Sequence, residues 1–331
     1  MNRAVVIAWH RYQPHYGYSY RVMFEHWLTT LPIWAKEVDA LYLIDSDMNF
    51  TDEDKQKLLK YFKEVHILRR ELDGHHWVQF KWVIPQIKED NMLFLDNDVI
   101  ITQEGLIDSW FKQIEQGVDF LGSFDGSGGL QDIIQQVYPI MKNIGNRMGS
   151  YYFILTKKLL DKIGSYTFEP NYFEVGTVIP ELDGYVTREG DWLDSFGWFT
   201  LKMLAIQARV VLIADPRETI YFQPVGLGDS WEILKDPETP KNPGYYHIRN
   251  GNFANYVITS WAAGNRTDYQ REVDGNKREL LRALAWFQYM DSKTGNGYQQ
   301  EINKLATDLG ISLGDWVNYM VEFVNYHKLE P

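Results

Sequence analysis

The sequence predicts an α/β fold in which helices flank a mostly parallel sheet, followed by a C-terminal helical extension. In the first hundred residues, short apolar runs of strand length alternate with longer stretches whose apolar residues recur at helical spacing. This alternation is typical of a parallel sheet that is covered on both faces. From about residue 268 the pattern is again mostly helical, which predicts the extension.

The elements of the first part follow one another in a regular order. The second helix should begin at Thr51, because a threonine followed by acidic residues favours a helix start. Pro85 should shorten or kink the third helix. We predict strands at 4–9, 39–45, 65–68 and 91–96, and helices at 19–37, 51–64 and 76–89.

After residue 100 the pattern is looser. A Gly-rich turn at 125–130 lacks the Gly-Lys-Ser/Thr of a phosphate-binding loop. We expect mostly loop at 165–190 and a long irregular stretch at 223–252, and long loops often carry function. The remaining predictions are helices at 103–117, 157–164 and 194–208, and strands at 118–124, 151–156 and 209–215.

Composition excludes several classes of protein. The 331 residues carry a net charge of −12, and an acidic surface repels phosphate backbones, so we expect no nucleic-acid partner. The absence of cysteine excludes disulfides and thiolate metal sites. No apolar run approaches the roughly 18 residues that span a bilayer, and the N-terminus resembles a core strand, so we expect a cytoplasmic protein. The 12 Trp and 21 Tyr fit either core packing or stacking on sugars and bases.

Two of the predicted strands end in acidic tips, 45-DSD-47 and 96-DND-98. The second tip is the more informative. Asp96 and Asp98 are separated by Asn97, and residues i and i+2 of a strand point the same way, so the carboxylates can converge. Convergence favours a hard divalent cation such as Mg²⁺ or Mn²⁺. An ordinary acidic turn is the other interpretation, but the flanking apolar residues argue against it. Ligands of such sheets bind at the carboxyl ends of the strands, where both tips lie.

The stretch from 41 to 98 resembles the nucleotide-binding half of GT-A fold glycosyltransferases, of the family 2 type with an Asp-x-Asp motif. It contains an acidic turn in 42-YLIDSDMNFTDED-54, a Gly-containing loop in 65-VHILRRELDGHHW-77 and the Asp-x-Asp in 91-NMLFLDNDV-99. The resemblance implies that Asp96 and Asp98 bind the metal. Lys81 would either reach a phosphate or be solvated. The implied contacts to the nucleotide sugar are Trp9, Asp45, Asp47, Gly74, Lys81, Asp96, Asn97 and Arg249.

Two later segments extend the resemblance. In 189-EGDWLDSFGWFTLKMLAIQARVVLI-213 it implies a catalytic base or acceptor contact at Asp194, with Asp191 as the competitor. A helix N-cap would explain Asp194 equally well. In 245-YYHIRNG-251 it implies that His247 binds the metal and that Arg249 faces the phosphates. A lone histidine is more often structural, but this one lies in a long loop.

The resemblance also implies cofactors, partners and domain boundaries. Residues 1–125 would bind the nucleotide sugar, 126–262 would bind the acceptor, and 263–331 would form the helical extension. The cofactor would be Mn²⁺ or Mg²⁺, and the donor a nucleotide-diphosphate sugar, UDP in preference to GDP. The acceptor, a glycan or a small molecule, is not identified. The C-terminal helices offer a possible homo-oligomer interface.

Two alternatives stay open at this point. The stretch 93-LFLDNDVII-101 is also similar to the first motif of haloacid dehalogenase-type phosphatases, in which Asp96 would be the nucleophile. That motif normally opens the fold, whereas three strand–helix units precede it here. The second alternative is a non-catalytic sugar- or nucleotide-binding protein, against which the intact Asp96 and Asp98 pair argues.

Overall fold

A computed structural model describes residues 2–10, 17–46, 49–70, 76–97, 99–101, 104–125, 129–144, 147–212, 231–233, 245–247, 299–308 and 310. Its strands are β1 (Arg3–His10), β2 (Ala40–Ser46), β3 (Glu64–Arg69), β4 (Asn91–Asp96), β5 (Val99–Ile101), β6 (Phe120–Asp125), β7 (Arg147–Thr156), β8 (Asn171–Tyr172), β9 (Val178–Ile179), β10 (Tyr185–Val186), β11 (Trp192–Leu193), β12 (Val210–Leu212), β13 (Trp231–Ile233) and β14 (Tyr245–His247). The helices are α1 (Gly17–Trp34), α2 (Asp52–Leu58), α3 (His76–Val83), α4 (Leu106–Glu115), α5 (Gln131–Val137), α6 (Met141–Ile144), α7 (Lys157–Ile163), α8 (Gly197–Ala205) and α9 (Gln299–Asp308).

Eight of these strands form one sheet in the order β13-β12-β6-β7-β4-β1-β2-β3. Within it β7 runs antiparallel to its neighbours β4 and β6, and every other neighbouring pair is parallel. The mostly parallel sheet with flanking helices confirms the predicted fold class. The antiparallel β7 was not predicted, because an apolar run carries no information about strand direction.

Each face of the sheet packs on its own aromatic layer. On the face covered by α1, the Trp9 ring lies 5.5 Å from that of Phe24. On the other face, covered by α3 and α8, Phe153 of β7 is fully buried. Its ring centroid lies 4.8 Å from that of Phe94, 5.7 Å from Phe80, 6.2 Å from Phe120 and 6.0 Å from Phe196. These contacts join three strands to α3 and to the residue that precedes α8.

The helices mostly lie where the sequence predicts them, with differences at their ends. Thr51 caps α2, since its hydroxyl accepts from the Asp54 amide at 3.2 Å, while the Asp54 carboxylate accepts from the Thr51 amide at 2.9 Å. The helix stops at Leu58, earlier than predicted, and the next residues turn so that Phe62 is buried. A 3₁₀ turn, Ile84–Gln86, follows α3 at Pro85, as predicted.

Residues 165–190 are mostly loop, as predicted, but short strand pairs that the sequence does not indicate order this stretch. Residues 171–193 form an irregular hairpin, called the arm below, in which β8 pairs with β11 and β9 with β10. Between these ladders the Thr187 amide donates to the Thr177 carbonyl at 2.9 Å, and the Phe173 amide donates to the Asp191 carbonyl at 3.2 Å. Strands of two residues carry too little periodicity to be recognised in a sequence.

The stretch 223–252, expected to be irregular, contains the short strands β13 and β14. Of the C-terminal extension the structure describes α9 and Gly310, so its arrangement and any oligomer interface stay predictions, as do the three domain boundaries. A search of the described helices finds none with the length and apolar character needed to span a membrane.

We expect Phe153→Ala to lower the free energy of unfolding by about 3–5 kcal/mol, because it removes a buried ring and leaves a cavity among four others. Urea denaturation followed by circular dichroism measures the change. Tyr61→Ala is the matched control, since Tyr61 is 39% exposed and its removal should change little. Equal effects of the two substitutions would contradict this account of the core.

Candidate functional site

The two acidic tips lie at the same edge of the sheet. Strand β1 lies between β2 and β4 and runs parallel to both, so the carboxyl ends of all three meet at one edge. In this register Trp9 is beside Asp45, and Ala8 is beside Asp96. This edge is where ligands of open α/β sheets bind, as the sequence predicts.

Although they share an edge, the two aspartates belong to opposite faces. Neighbouring residues in registered strands point the same way, and successive residues of one strand point opposite ways. Asp45 therefore shares the face of Trp9, on the α1 side, while Asp96 shares the face of Ala8, on the α3 side. The two tips are thus different sites.

The Asp45 carboxylate organises the turn that follows β2. It is buried, and its two oxygens accept from the backbone amides of Asn49 at 3.0 Å and Phe50 at 3.1 Å. Asn49 has a φ of 56°, a left-handed conformation that asparagine tolerates well. The Arg69 guanidinium lies 3.8 Å from the carboxylate and is largely exposed. Asp45 therefore holds this turn, and a nucleoside contact by Asp45 stays a prediction.

Trp9 belongs to the core rather than to an open binding surface. Its ring is fully buried and packs edge-on against Phe24, Trp27 and Phe50, with centroids 5.5, 6.3 and 6.1 Å away. Its indole N–H has no hydrogen-bond partner among the residues that the structure describes. A nucleoside therefore has no exposed face of this ring to stack on.

The Asp96 tip has an unusual central residue. Asp96 is half-buried, whereas Asn97 is 1% exposed, and neither atom of its amide has a hydrogen-bond partner within the described part of the chain. An unpaired buried amide costs about 1–3 kcal/mol, so its persistence calls for an explanation. A ligand at the tip would supply the missing partners. Asp98 lies outside the described residues.

The strand β14 pairs antiparallel with β5, which directly follows the tip. Its register places His247 beside Val99, the residue after Asp98. The backbone of His247 therefore runs past the acidic tip, although the two segments are far apart along the chain. Arg249 lies outside the described residues, as do Asp47 and Gly74.

Asp194 is held near the same edge of the sheet by an ion pair with Arg147 of β7. Strand β7 pairs antiparallel with β4 as far as Tyr152 and Leu95, and its earlier residues extend beyond the carboxyl end of β4. Arg147 begins β7, is 13% exposed, and its Nε lies 3.3 Å from Asp194 Oδ2. The Asp194 carboxylate also accepts from the Ser195 amide at 2.7 Å.

The N-cap interpretation of Asp194 is wrong. The residue at the N-cap of α8 is Phe196, and the helix has no side-chain cap. Phe196 has a φ of 63°, which is a strained conformation for an aromatic residue, and such strain clusters at functional sites. The Asp194 side chain is instead oriented by Arg147, whose guanidinium also donates to the Ser195 carbonyl at 3.1 Å.

The competitor, Asp191, is engaged within the arm. Its Oδ2 accepts from the Tyr185 hydroxyl at 2.9 Å and from the Arg188 amide at 2.7 Å. The hydrogen bond to this carboxylate raises the pKa of Tyr185. These contacts close the turn of the arm, so Asp191 has a structural task within it.

The Gly-rich turn has a role that the sequence did not indicate. A Cβ on Gly129 would lie 1.9 Å from the carbonyl oxygen of Trp192, so only glycine fits there. Leu130, which directly precedes α5, has a φ of 55°. This turn is therefore packed directly against β11, two residues before Asp194.

Two further observations concern the predicted ligands. Lys81 is 47% exposed and lies 3.8 Å from the Glu169 carboxylate, which fits the solvated interpretation, while a phosphate contact stays a prediction. Among the described residues no group of three or more His, Asp or Glu is arranged to hold a metal. Asp98 and the His247 side chain lie outside that set, so the predicted ligand set is not tested.

Sequence reasoning missed Arg147, which positions Asp194. No signal in the sequence identifies it, because an isolated arginine before a strand is common and its partner lies 47 residues later along the chain.

No protein-family model matches the chain, and no curated protein sequence matches it. Solved structures do. Glucosyl-3-phosphoglycerate synthase from Mycobacterium tuberculosis, solved with Mn²⁺, UDP-glucose and phosphoglyceric acid, matches at 13% identity with a TM-score of 0.35, over 49% of this chain and 58% of the synthase. TarS residues 1–349 from S. aureus match at 12% identity with a TM-score of 0.40, over 98% of this chain and 92% of that one.

The glycosyltransferase GlyE from Streptococcus pneumoniae matches at 19% identity with a TM-score of 0.31, over 48% of this chain and 35% of GlyE. The chain thus spans little more than half the length of the synthase and about a third of GlyE. Likenesses at this level leave the function to be inferred from the residues of the chain itself.

We expect Asp45→Asn to destabilise the fold by about 1–3 kcal/mol, because an amide can replace only one of the two oxygens that accept from Asn49 and Phe50. Thermal unfolding measures this loss. Asp52→Asn, at an exposed position at the start of α2, is the control. An Asp45→Asn protein with an unchanged melting temperature and weaker nucleotide binding would instead assign Asp45 to ligand contact.

Proposed function

We propose that the protein is a metal-dependent glycosyltransferase that transfers a sugar from a nucleotide-diphosphate sugar to an acceptor hydroxyl. The observation that carries this proposal is the meeting of three elements at the carboxyl edge of the sheet. These are the Asp96 tip, the strand β14 with His247, and the ion pair of Asp194 with Arg147. They supply a candidate metal site beside a candidate base.

In this proposal Asp96, Asp98 and His247 hold the ion, which is Mn²⁺ or Mg²⁺. The residues present fit such an ion, because carboxylates at a strand tip are hard oxygen ligands and the unpartnered Asn97 amide beside them is suited to a polar ligand. The bound ion supplies Lewis-acid neutralisation of the charge on the leaving diphosphate. In this proposal the Asn97 amide donates to an oxygen of the donor, which supports the proposal because the amide lacks a partner in the described part of the chain.

Asp194 acts on the acceptor. In an inverting reaction, its carboxylate takes the proton of the acceptor hydroxyl while the acceptor oxygen bonds to the anomeric carbon and the bond from that carbon to the diphosphate breaks. In a retaining reaction it orients the acceptor instead. Arg147 is a positioning residue in either case, because it fixes the carboxylate through the 3.3 Å ion pair. Asp191 is the competitor for this role, and its Oδ2 closes the arm.

The nucleoside would lie near the Asp45 turn, with Asp47, Gly74, Lys81 and Arg249 as the remaining proposed contacts and UDP preferred to GDP. Asp45 and Trp9 would support the nucleoside site from the protein interior, because both are buried. The exposed guanidinium of Arg69, at the carboxyl end of β3, is an additional candidate contact that the sequence did not single out.

The phosphatase alternative is not favoured. It requires the strand with the nucleophile to open the fold, whereas β1, β2 and β3 precede β4 and all belong to the same sheet. The proposed transfer is tested by incubating the purified protein with UDP- and GDP-sugars and Mn²⁺ and measuring released nucleoside diphosphate. Release of inorganic phosphate from phosphomonoesters, with no nucleoside diphosphate released, would establish the alternative.

Activity should require a divalent ion. We expect EDTA to abolish release of nucleoside diphosphate and added Mn²⁺ or Mg²⁺ to restore it, since the proposed ligands are hard donors. Asp98→Ala should remain inactive at high Mn²⁺, and His247→Ala should need more Mn²⁺ without losing its folded circular dichroism spectrum. Full turnover in EDTA with ion-free buffers would refute the metal site.

Asp194→Asn should lower kcat by about 10²–10⁴-fold and leave the donor KM nearly unchanged, as expected for an inverting base acting in the transition state. Asp191→Asn is the matched control, and its main effect should be on thermal stability. A large loss of kcat in Asp191→Asn alone would move the role to that residue. Normal turnover in both variants would remove the base from the mechanism.

A further inference from the structure

The arm carries most of the exposed apolar surface of the described chain. Seven large hydrophobic side chains are exposed in that part, and four of them belong to the arm. They are Tyr172, Val175, Val178 and Val186, with exposures of 80, 69, 57 and 53%. Val178 and Val186 are direct cross-strand neighbours in the β9–β10 ladder. Exposed apolar side chains concentrated on one short element mark a binding surface.

The arm is held firmly against the rest of the domain. Near its tip the Tyr138 hydroxyl donates to the Glu181 carbonyl at 2.6 Å, and Lys202 pairs with the Glu181 carboxylate at 2.5 Å. Ile179 and Leu182 are buried in the main core. These contacts pack the inner side of the arm against the domain. The apolar residues on its outer side are therefore exposed even though the arm itself is well packed.

Tyr172 is presented as a flat aromatic platform. It pairs across the β8–β11 ladder with Trp192, and the two rings stack with centroids 6.1 Å apart and an angle of 15° between their planes. At 80% exposure, the Tyr172 side chain is largely open to solvent. An exposed aromatic ring of this kind offers an apolar face to a ligand.

The charges of this segment are mainly acidic, although Glu181 is paired with Lys202 and Asp194 with Arg147. Between residues 171 and 194 there are six acidic side chains and a single basic one, Arg188. Such a surface repels phosphates, sulfates and anionic lipid headgroups. Its carboxylates accept hydrogen bonds from hydroxyl groups. An open aromatic face together with carboxylate acceptors suits a ligand that has apolar C–H faces and hydroxyls at its rim.

We infer that the outer surface of the arm, with Tyr172 as its platform, binds an uncharged carbohydrate that serves as the acceptor. This inference rests on the proposed transferase function and adds the substrate class. Trp192 lies two residues before Asp194, and its carbonyl is packed against Gly129, so the platform is joined rigidly to the candidate base. A sugar held on Tyr172 is thereby held beside the edge of the sheet where transfer takes place.

The test uses the full-length protein on a glycan array containing neutral, sialylated, sulfated and phosphorylated oligosaccharides. We expect binding to neutral glycans. In fluorescence titrations with the best neutral glycan of the array, Tyr172→Val should weaken binding roughly three- to ten-fold, the effect of losing one aromatic stacking contact. Valine keeps a side chain that favours strands, so the arm should persist. Tyr172→Phe should bind as wild type does, and Tyr61→Val is the matched control at an exposed tyrosine outside the arm.

Donor hydrolysis is measured separately, as nucleoside diphosphate released without acceptor, and should be unchanged in Tyr172→Val. Absence of binding to any neutral glycan, a preference for anionic glycans, or equal affinity of Tyr172→Val and wild type would each overturn the inference. If any of these results is obtained but the donor is still hydrolysed, the proposed transferase function stands and only the inference about the acceptor fails. If no nucleotide sugar is hydrolysed or transferred, the proposed function fails, and neutral-glycan binding at Tyr172 would then define a carbohydrate-binding surface without the acceptor role.

Discussion

The parallel pairing of β1 with both β2 and β4 is the constraint on which the rest of the structure depends. It brings the carboxyl ends of three strands to one edge and fixes their relative register. The helices cover the two faces of the sheet but not this edge. The polar residues at the strand ends can therefore form a ligand-binding or catalytic site there. The loops that complete the site are added around it, among them the segment with β14, which pairs with β5 beside the Asp96 tip.

The two acidic tips differ because of side-chain alternation along the strands. Asp45 aligns with Trp9 and Asp96 with Ala8, and because these successive residues of β1 point to opposite faces, Asp45 lies on the α1 side and Asp96 on the α3 side. Asp45 is then enclosed and has backbone amides as its partners. Next to Asp96, the Asn97 amide is buried without a partner in the described structure. The carboxylate of Asp45 thus stabilises its turn, whereas the Asn97 amide has no such partner among the described residues.

The part of the candidate site around Asp194 depends on a close backbone contact and on a strained backbone conformation. Gly129 lies directly against the Trp192 carbonyl, and Phe196 adopts a left-handed conformation before α8. Both features surround Asp194, and Arg147 fixes its carboxylate from β7. The antiparallel direction of β7 is what allows this, because its first residues extend beyond the end of β4. The arm ends directly before Asp194, and Trp192, the cross-strand partner of Tyr172, lies two residues before it.

The sequence by itself determined the fold class, the strand–helix order of the first hundred residues, the helix start at Thr51 and the break at Pro85. These follow from local periodicity and capping, which depend on residues close in the chain. It also identified Asp96 and Asp194 as candidates. Only the tertiary structure decided the direction of β7, the opposite faces of the two tips, the pairing of Asp194 with Arg147, and the arm that carries Tyr172. Those features depend on contacts between residues far apart in the chain, and the local pattern of residue types does not encode such contacts.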